Sequence, residues 1–155
     1  MRKLLLLILL CTLLSACNKQ QIYSEFHSIN QQGWHADSLM GYTIDISDST
    51  AQYEVLITLR HTTQYPYQNL WLFVGEQYGN MPLHSDTIEC FLADNHGKWL
   101  GKGISKYTML MLFDDAHIFS HTGEYTFTIQ QGMRTDYLQG ITDIGLQIIK
   151  HNGKE

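Results

Sequence analysis

Basic side chains, paired cysteines and long apolar runs are all scarce in this chain, and each shortage removes a class of answer. Ten lysines and arginines stand against fifteen aspartates and glutamates. No basic stripe interleaves with aromatics, so the surface is not built to neutralise phosphates, and nucleic acid is not an expected partner. The single long apolar run, Leu4 to Leu14, is too short to remain in a bilayer as a spanning helix. No stretch carries apolar residues at helical spacing for more than three turns, which leaves helical layers without support. Catalytic signatures are missing too. There is no Gly-x-Ser-x-Gly elbow, no His-Glu-x-x-His run and no His-x-His pair, and the glycines at 97, 101 and 103 lack the Lys-Ser or Lys-Thr ending of a phosphate loop. The reading is therefore not an enzyme, with no cofactor and no metal.

What is present begins with an address. Arg2 and Lys3 precede the apolar run, and Leu14-Ser15-Ala16-Cys17 follows it. The pattern resembles the lipobox of bacterial lipoproteins, in which the cysteine sulfur takes a diacylglycerol, a signal peptidase cuts ahead of it and the new amino group is acylated. Residues 1–16 are expected to be removed, leaving Cys17 as the lipidated first residue. Two or three acyl chains, at roughly 0.8 kcal/mol per buried methylene, hold a domain to a membrane without any spanning helix. Of the three cysteines, Cys11 leaves with the signal and Cys17 becomes a thioether, so no intrachain disulfide is possible. Stability must come from apolar burial, which a 44% hydrophobic composition with nine tyrosines supports. Cys90 lies between Ile88 and Leu92 at alternating positions and reads as a buried, inert thiol.

Residues 17–33 are rich in Gln, Asn and Ser and are expected to be a lipid-anchored tether. From residue 34 to 155 the rhythm has period two, the mark of strands with one buried face. Tyr42, Ile44 and Ile46 alternate with polar residues, and so do Tyr53, Val55, Ile57 and Leu59, then Tyr125, Phe127 and Ile129, then Ile144, Leu146 and Ile148. Residues 70–74 are apolar on both faces, which suits a central strand or one whose outer face holds a partner. Residues 107–113 suit either a strand or a helical turn. Asp94-Asn95-His96-Gly97 is a turn. About eight strands without intervening helices predict an all-β fold, an antiparallel β-sandwich of jelly-roll type.

The block from Arg60 to Leu70 joins two strong strands. Arg60, His61, Tyr65, Pro66, Tyr67 and Asn69 make it the candidate partner-binding loop, with Tyr65 and Tyr67 as aromatic platforms. Flanking rings favour a cis peptide at Pro66. The bland alternative is a rigid structural loop. Asp114, His117 and His121 would share a face only on a helix, and are read as solvent-facing. Asp114, Asp115 and Asp136 are loop carboxylates of the kind that hold calcium, without a ligand register. Trp34, Trp71 and Trp99 could stack on sugar rings if two of them stood exposed on one sheet, which keeps a surface glycan-binding module as the alternative function. A hydrolase would need two carboxylates gathered in a cleft.

These features together resemble the GldH family of gliding-motility lipoproteins from Bacteroidetes. The resemblance rests on the lipobox, on Tyr23 and Trp34 with Asp37-Ser38, on Leu59-Arg60-His61 running to Tyr65-Pro66-Tyr67-Gln68-Asn69-Leu70, on Asp86-Thr87, and on Gly140-Ile141-Thr142-Asp143-Ile144-Gly145. It implies a protein lipid-anchored in the cell membrane or outer membrane and facing the periplasm. Its expected partners are the membrane itself and envelope proteins of the gliding or type IX secretion machinery, or of envelope assembly. It supplies no reaction.

Overall fold

The computed structural model describes residues 19–151, so residues 1–16 and Cys17 lie outside the described residues. Eight main strands build two antiparallel sheets. One orders β1 (Lys19–Ser28), β11 (Ile141–His151), β4 (Tyr53–Thr62) and β8 (Lys106–His117), with the short β7 (Lys102–Gly103) at its edge. The other orders β3 (Met40–Ile46), β9 (Gly123–Gln131), β5 (Asn69–Tyr78) and β6 (His84–Phe91). A two-residue pair, β2 (Trp34–His35) and β10 (Tyr137–Leu138), closes one end. Counting only the main strands in chain order, the sheets run first-eighth-third-sixth and second-seventh-fourth-fifth, which is the jelly-roll order.

The alternation read from the sequence is what the sheets bury. Tyr42, Ile44 and Ile46 of β3, Tyr125, Phe127 and Ile129 of β9, Val55, Ile57 and Leu59 of β4, and Ile144, Leu146 and Ile148 of β11 interdigitate in one core. The Tyr42 hydroxyl crosses that core to donate to the Ile144 carbonyl at 3.0 Å. Burial raises the Tyr42 pKa, so the hydroxyl stays a donor. Cys90 is buried opposite Leu70, where burial pushes its thiol up to about 12.

Two expectations are corrected. The segment 17–33 is not wholly a tether, because β1 starts at Lys19 and pairs with β11 from its first residue. Its polar composition hid an edge strand, in which Tyr23 donates to Glu25 and His27 meets the Gly41 carbonyl at 2.9 Å and the edge of the Tyr42 ring. The second concerns His117, expected to face solvent; of the two conformations open to residues 107–113 the structure shows the strand, within β8, so His117 and His121 share no helical face. His117 is half-buried in β8, and His121 is exposed and stacks on Tyr78.

The topology sorts the loops into two poles. Residues 47–52, 79–83 and 118–122 lie with the start of β1 and the end of β11. Residues 63–68, 92–101 and 132–136 lie at the opposite pole, with the β10–β11 turn.

Candidate partner-binding loop and aromatic strip

At the pole away from β1's first residue, the chain leaves β4 at Thr62 and re-enters the second sheet at Asn69. The loop between them is tied at its start, at Tyr65 and at Gln68. Thr62 donates its N–H to the Gly140 carbonyl at 2.8 Å, Tyr65 donates its N–H to Thr62, and the Tyr65 hydroxyl donates to the Asn69 carbonyl at 2.7 Å. The Gln68 carbonyl accepts from the N–H groups of Leu92 and Ala93, and the Gln68 amide reaches the Asp94 carbonyl. Gly140 permits this packing. Its φ is +84°, and a Cβ there would overlap the Tyr65 backbone.

The facing turn is equally fixed. The Asp94 carboxylate accepts from the N–H groups of His96 and Lys98, both at 2.9 Å. Those two donors, Lys98 first, hold the carboxyl below the usual carboxylate range. Between turn and loop lies an open cleft of about 370 Å³, bordered by Pro66, Tyr67 and Gln68 on one side and Asn95, Gly97 and Trp99 on the other.

The residues expected to act together here divide by burial. His61 is fully buried, enclosed by Trp99 edge-on at 4.6 Å and by a stacked Tyr107. Burial holds its pKa below the ordinary value, so the imidazole is neutral. Tyr65 is buried as well, and its peptide to Pro66 is trans. Neither His61 nor Tyr65 can act as a contact residue, and the loop's platform is Tyr67 alone, 41% exposed, beside exposed Pro66. Arg60 turns to the outer face of the first sheet, with its guanidinium 4.7 Å above the Phe26 ring. Asn69 is half-buried and donates to the Glu89 carboxylate.

Beyond Asn69 the outer face of β5 carries what the loop reading missed. Trp71 and Phe73 are 38% and 44% exposed, and Phe91, paired opposite Asn69, is 58% exposed. Tyr67, Asn69, Trp71 and Phe73 fall at alternate positions, so an aromatic strip continues from the loop along the central strand. The signal was in the sequence, in the run of residues 70–74 that is apolar on both faces. Neither other tryptophan joins it. Trp34 is a core residue donating to the Ser38 carbonyl, and Trp99 packs on His61. The glycan alternative asked for two exposed tryptophans on one sheet, and the structure supplies one.

Carboxylates gather elsewhere, where β8 faces β5. His117 lies 3.0 Å from Asp114 through Nδ1 and 3.4 Å from Glu76 through Nε2, the second an ion-pair distance without hydrogen-bond geometry. Burial opposes protonation of this imidazole, but the two carboxylates, Glu76 ahead of Asp114, outweigh it and raise the pKa. When the imidazole is protonated, the three side chains form an ion triad bridging the two sheets. Among the described residues no three His, Cys, Asp or Glu side chains are placed to hold a metal ion.

The GldH lipoprotein family model matches residues 21–148. A gliding motility lipoprotein GldH homolog from Christiangramia forsetii is 35% identical over 146 residues, covering 89% of each chain. Gliding motility lipoprotein GldH of Flavobacterium johnsoniae is 29% identical over 150 residues, covering 92% of this chain and 93% of its own. Among solved structures, an arabinose-bound arabinofuranosidase aligns over 86% of this chain and 23% of its own at 11% identity and a TM-score of 0.41, which carries no argument. With the family's pattern running from β1 to β11 and a relative above 30% identity along nearly the whole length, the chain belongs to the GldH lipoprotein family.

Proposed function

We propose that this chain is a non-enzymatic, lipid-anchored component of gliding-type or secretion-linked envelope machinery, attached through Cys17 and facing the periplasm. Its partner contact is the aromatic strip formed by Tyr67, Trp71, Phe73 and Phe91. The observation that carries the contact is the exposure of three large aromatic side chains on the β5–β6 pair, at one side of the second sheet. A monomer with nothing to bind gains nothing from that arrangement, since burying the exposed half of each ring is worth about 1 kcal/mol apiece. Names given to the relatives, gliding motility lipoproteins, support the setting.

Attachment to a membrane makes a modest contact sufficient. Confinement to a surface raises the effective concentration of the domain near other envelope proteins, so a strip of a few aromatic residues can hold a partner that would escape in free solution. The non-enzymatic reading is supported by Cys90, whose thiol is buried and protonated. It is supported further by the carboxylates around His117, Asp114 and Glu76, which are spent on contacts with that imidazole.

The test is a photo-reactive residue placed at Phe73 in the living cell, with the captured protein identified. Capture of a single envelope protein at Phe73 and Tyr67, and not at Thr43 on the far edge of the same sheet, is the expected result. Equal capture at all three positions contradicts the assignment of the strip.

A further inference from the structure

The described fold starts two residues after the cysteine proposed to carry lipid. Only Asn18 lies between Cys17 and Lys19, and Lys19 is already paired with His151 in the sheet. Two Cα steps span at most about 7 Å. A lipid thioether sits at the membrane interface, so the end of the sandwich that holds Lys19 cannot move far from it. We infer that the pole formed by residues 47–52, 79–83 and 118–122 rests directly on the lipid headgroups, and that the sandwich stands on this end with the aromatic loop pointing away. The inference rests on lipidation of Cys17.

The residues at this pole suit a lipid surface. Ile118, 56% exposed, shares an open cleft with Asp48, Lys150 and His151, which places it beside the strand end that pairs with Lys19. Met81, 48% exposed, tips the neighbouring loop, while Leu83 folds back over Gly75 of β5. That loop and residues 118–122 are joined through Tyr78, which stacks on His121 and donates its hydroxyl to the Thr122 carbonyl at 3.1 Å. Two apolar side chains on adjoining loops, Ile118 and Met81, can enter the interface between headgroups and acyl chains, where apolar burial is favourable without a spanning segment.

The consequence is height. The ten residues of β4 run from pole to pole, and at about 3.4 Å per residue they span about 30 Å. The Tyr67 loop is therefore presented well clear of the lipid.

The experiment uses the mature lipidated protein in phosphatidylethanolamine and phosphatidylglycerol vesicles containing a headgroup nitroxide quencher. A fluorophore is attached in turn to Ile118→Cys, Asn95→Cys and Leu110→Cys, all exposed positions, while Cys90 stays buried and unlabelled. Flotation with the vesicles is recorded first. The label at 118 should lose more than half its fluorescence, and the labels at 95 and 110 should keep nearly all of theirs. Three results overturn the orientation while the lipoprotein reading stands: quenching at 95 equal to that at 118, quenching at 110 equal to that at 118 as in a sandwich lying on its first sheet, and a floating protein with no quenching anywhere. A protein that does not float removes both the orientation and the anchor.

Discussion

The two ends of this sandwich differ in how closely they pack their glycine turns. At the far end, the loop from Thr62 to Asn69 is fastened by backbone hydrogen bonds and by the buried Tyr65, and a close approach to Gly140 leaves no room for a side chain. At the end that carries the start of β1, the 118–122 loop is held by the buried Phe119 and by the Tyr125 hydroxyl bonded to His121, but Gly79 has nothing within 4 Å of where a Cβ would sit, and Met81 and Ile118 are exposed. Both ends carry exposed apolar residues, Leu100 and Ile104 at the far one, and both bury aromatics, Tyr65 at the far one and Phe119 at the other. The ends differ in how tightly their glycine turns are packed.

The largest expected effect is at Tyr65. Replacement by alanine empties a buried aromatic site and frees the Asn69 carbonyl, and should cost about 3–5 kcal/mol in urea unfolding. Loss of partner capture in that variant would then report unfolding rather than a lost contact. Next comes a matched pair of glycines with positive φ. Gly140→Ala should cost about 2–3 kcal/mol, because backbone strain adds to overlap with Tyr65. Gly79→Ala, strained but unobstructed, should cost about 1 kcal/mol. Equal costs for the two would mean that the contrast between the ends is not one of packing.

A third effect depends on pH. The folded-state pKa of His117 is raised, so its contribution is complete below the unfolded value of about 6.5 and is lost as pH rises through the folded value. The unfolding midpoint of the parent should decline across that interval, and the decline should be shallower in His117→Gln. Asp143 acts in the other direction. Burial would raise its carboxyl, but the Thr142 hydroxyl, Lys106 and the Ser28 hydroxyl hold it lower. Its contribution is present above the unfolded value of about 3.9 and fades as pH falls through the folded one. The smallest stability effect belongs to Tyr67→Ala, within about 0.5 kcal/mol, yet this exposed residue is the loop variant that should weaken capture.

Much of the fold could be read from period-two alternation, and β3, β4, β9 and β11 bury the residues expected of them. Their inner faces are apolar through the middle of each strand, with polar His61 and Gln131 buried only at the ends of β4 and β9. β1 was missed because an edge strand needs little apolar surface, and its Gln, Ser and Glu residues read as solvent-loving chain. β8 was ambiguous because Leu110 and Leu112 interrupt the alternation from its outer face. Within the candidate site, position along the chain could not tell Tyr65 from Tyr67. The difference is made by Gly140, which only the β10–β11 turn brings beside the loop. The apolar run at residues 70–74 did announce an outward face, but Phe91 joined it only through strand pairing.

The account depends most directly on the acyl chains at Cys17. Feeding cells a clickable palmitate analogue and comparing the parent with Cys17→Ser is the decisive measurement. The account predicts that the parent takes up the label and sediments with membranes, and that the Ser variant takes up none, keeps its signal segment and leaves the lipidated pool. A Ser variant that is cut, labelled and membrane-bound like the parent contradicts it.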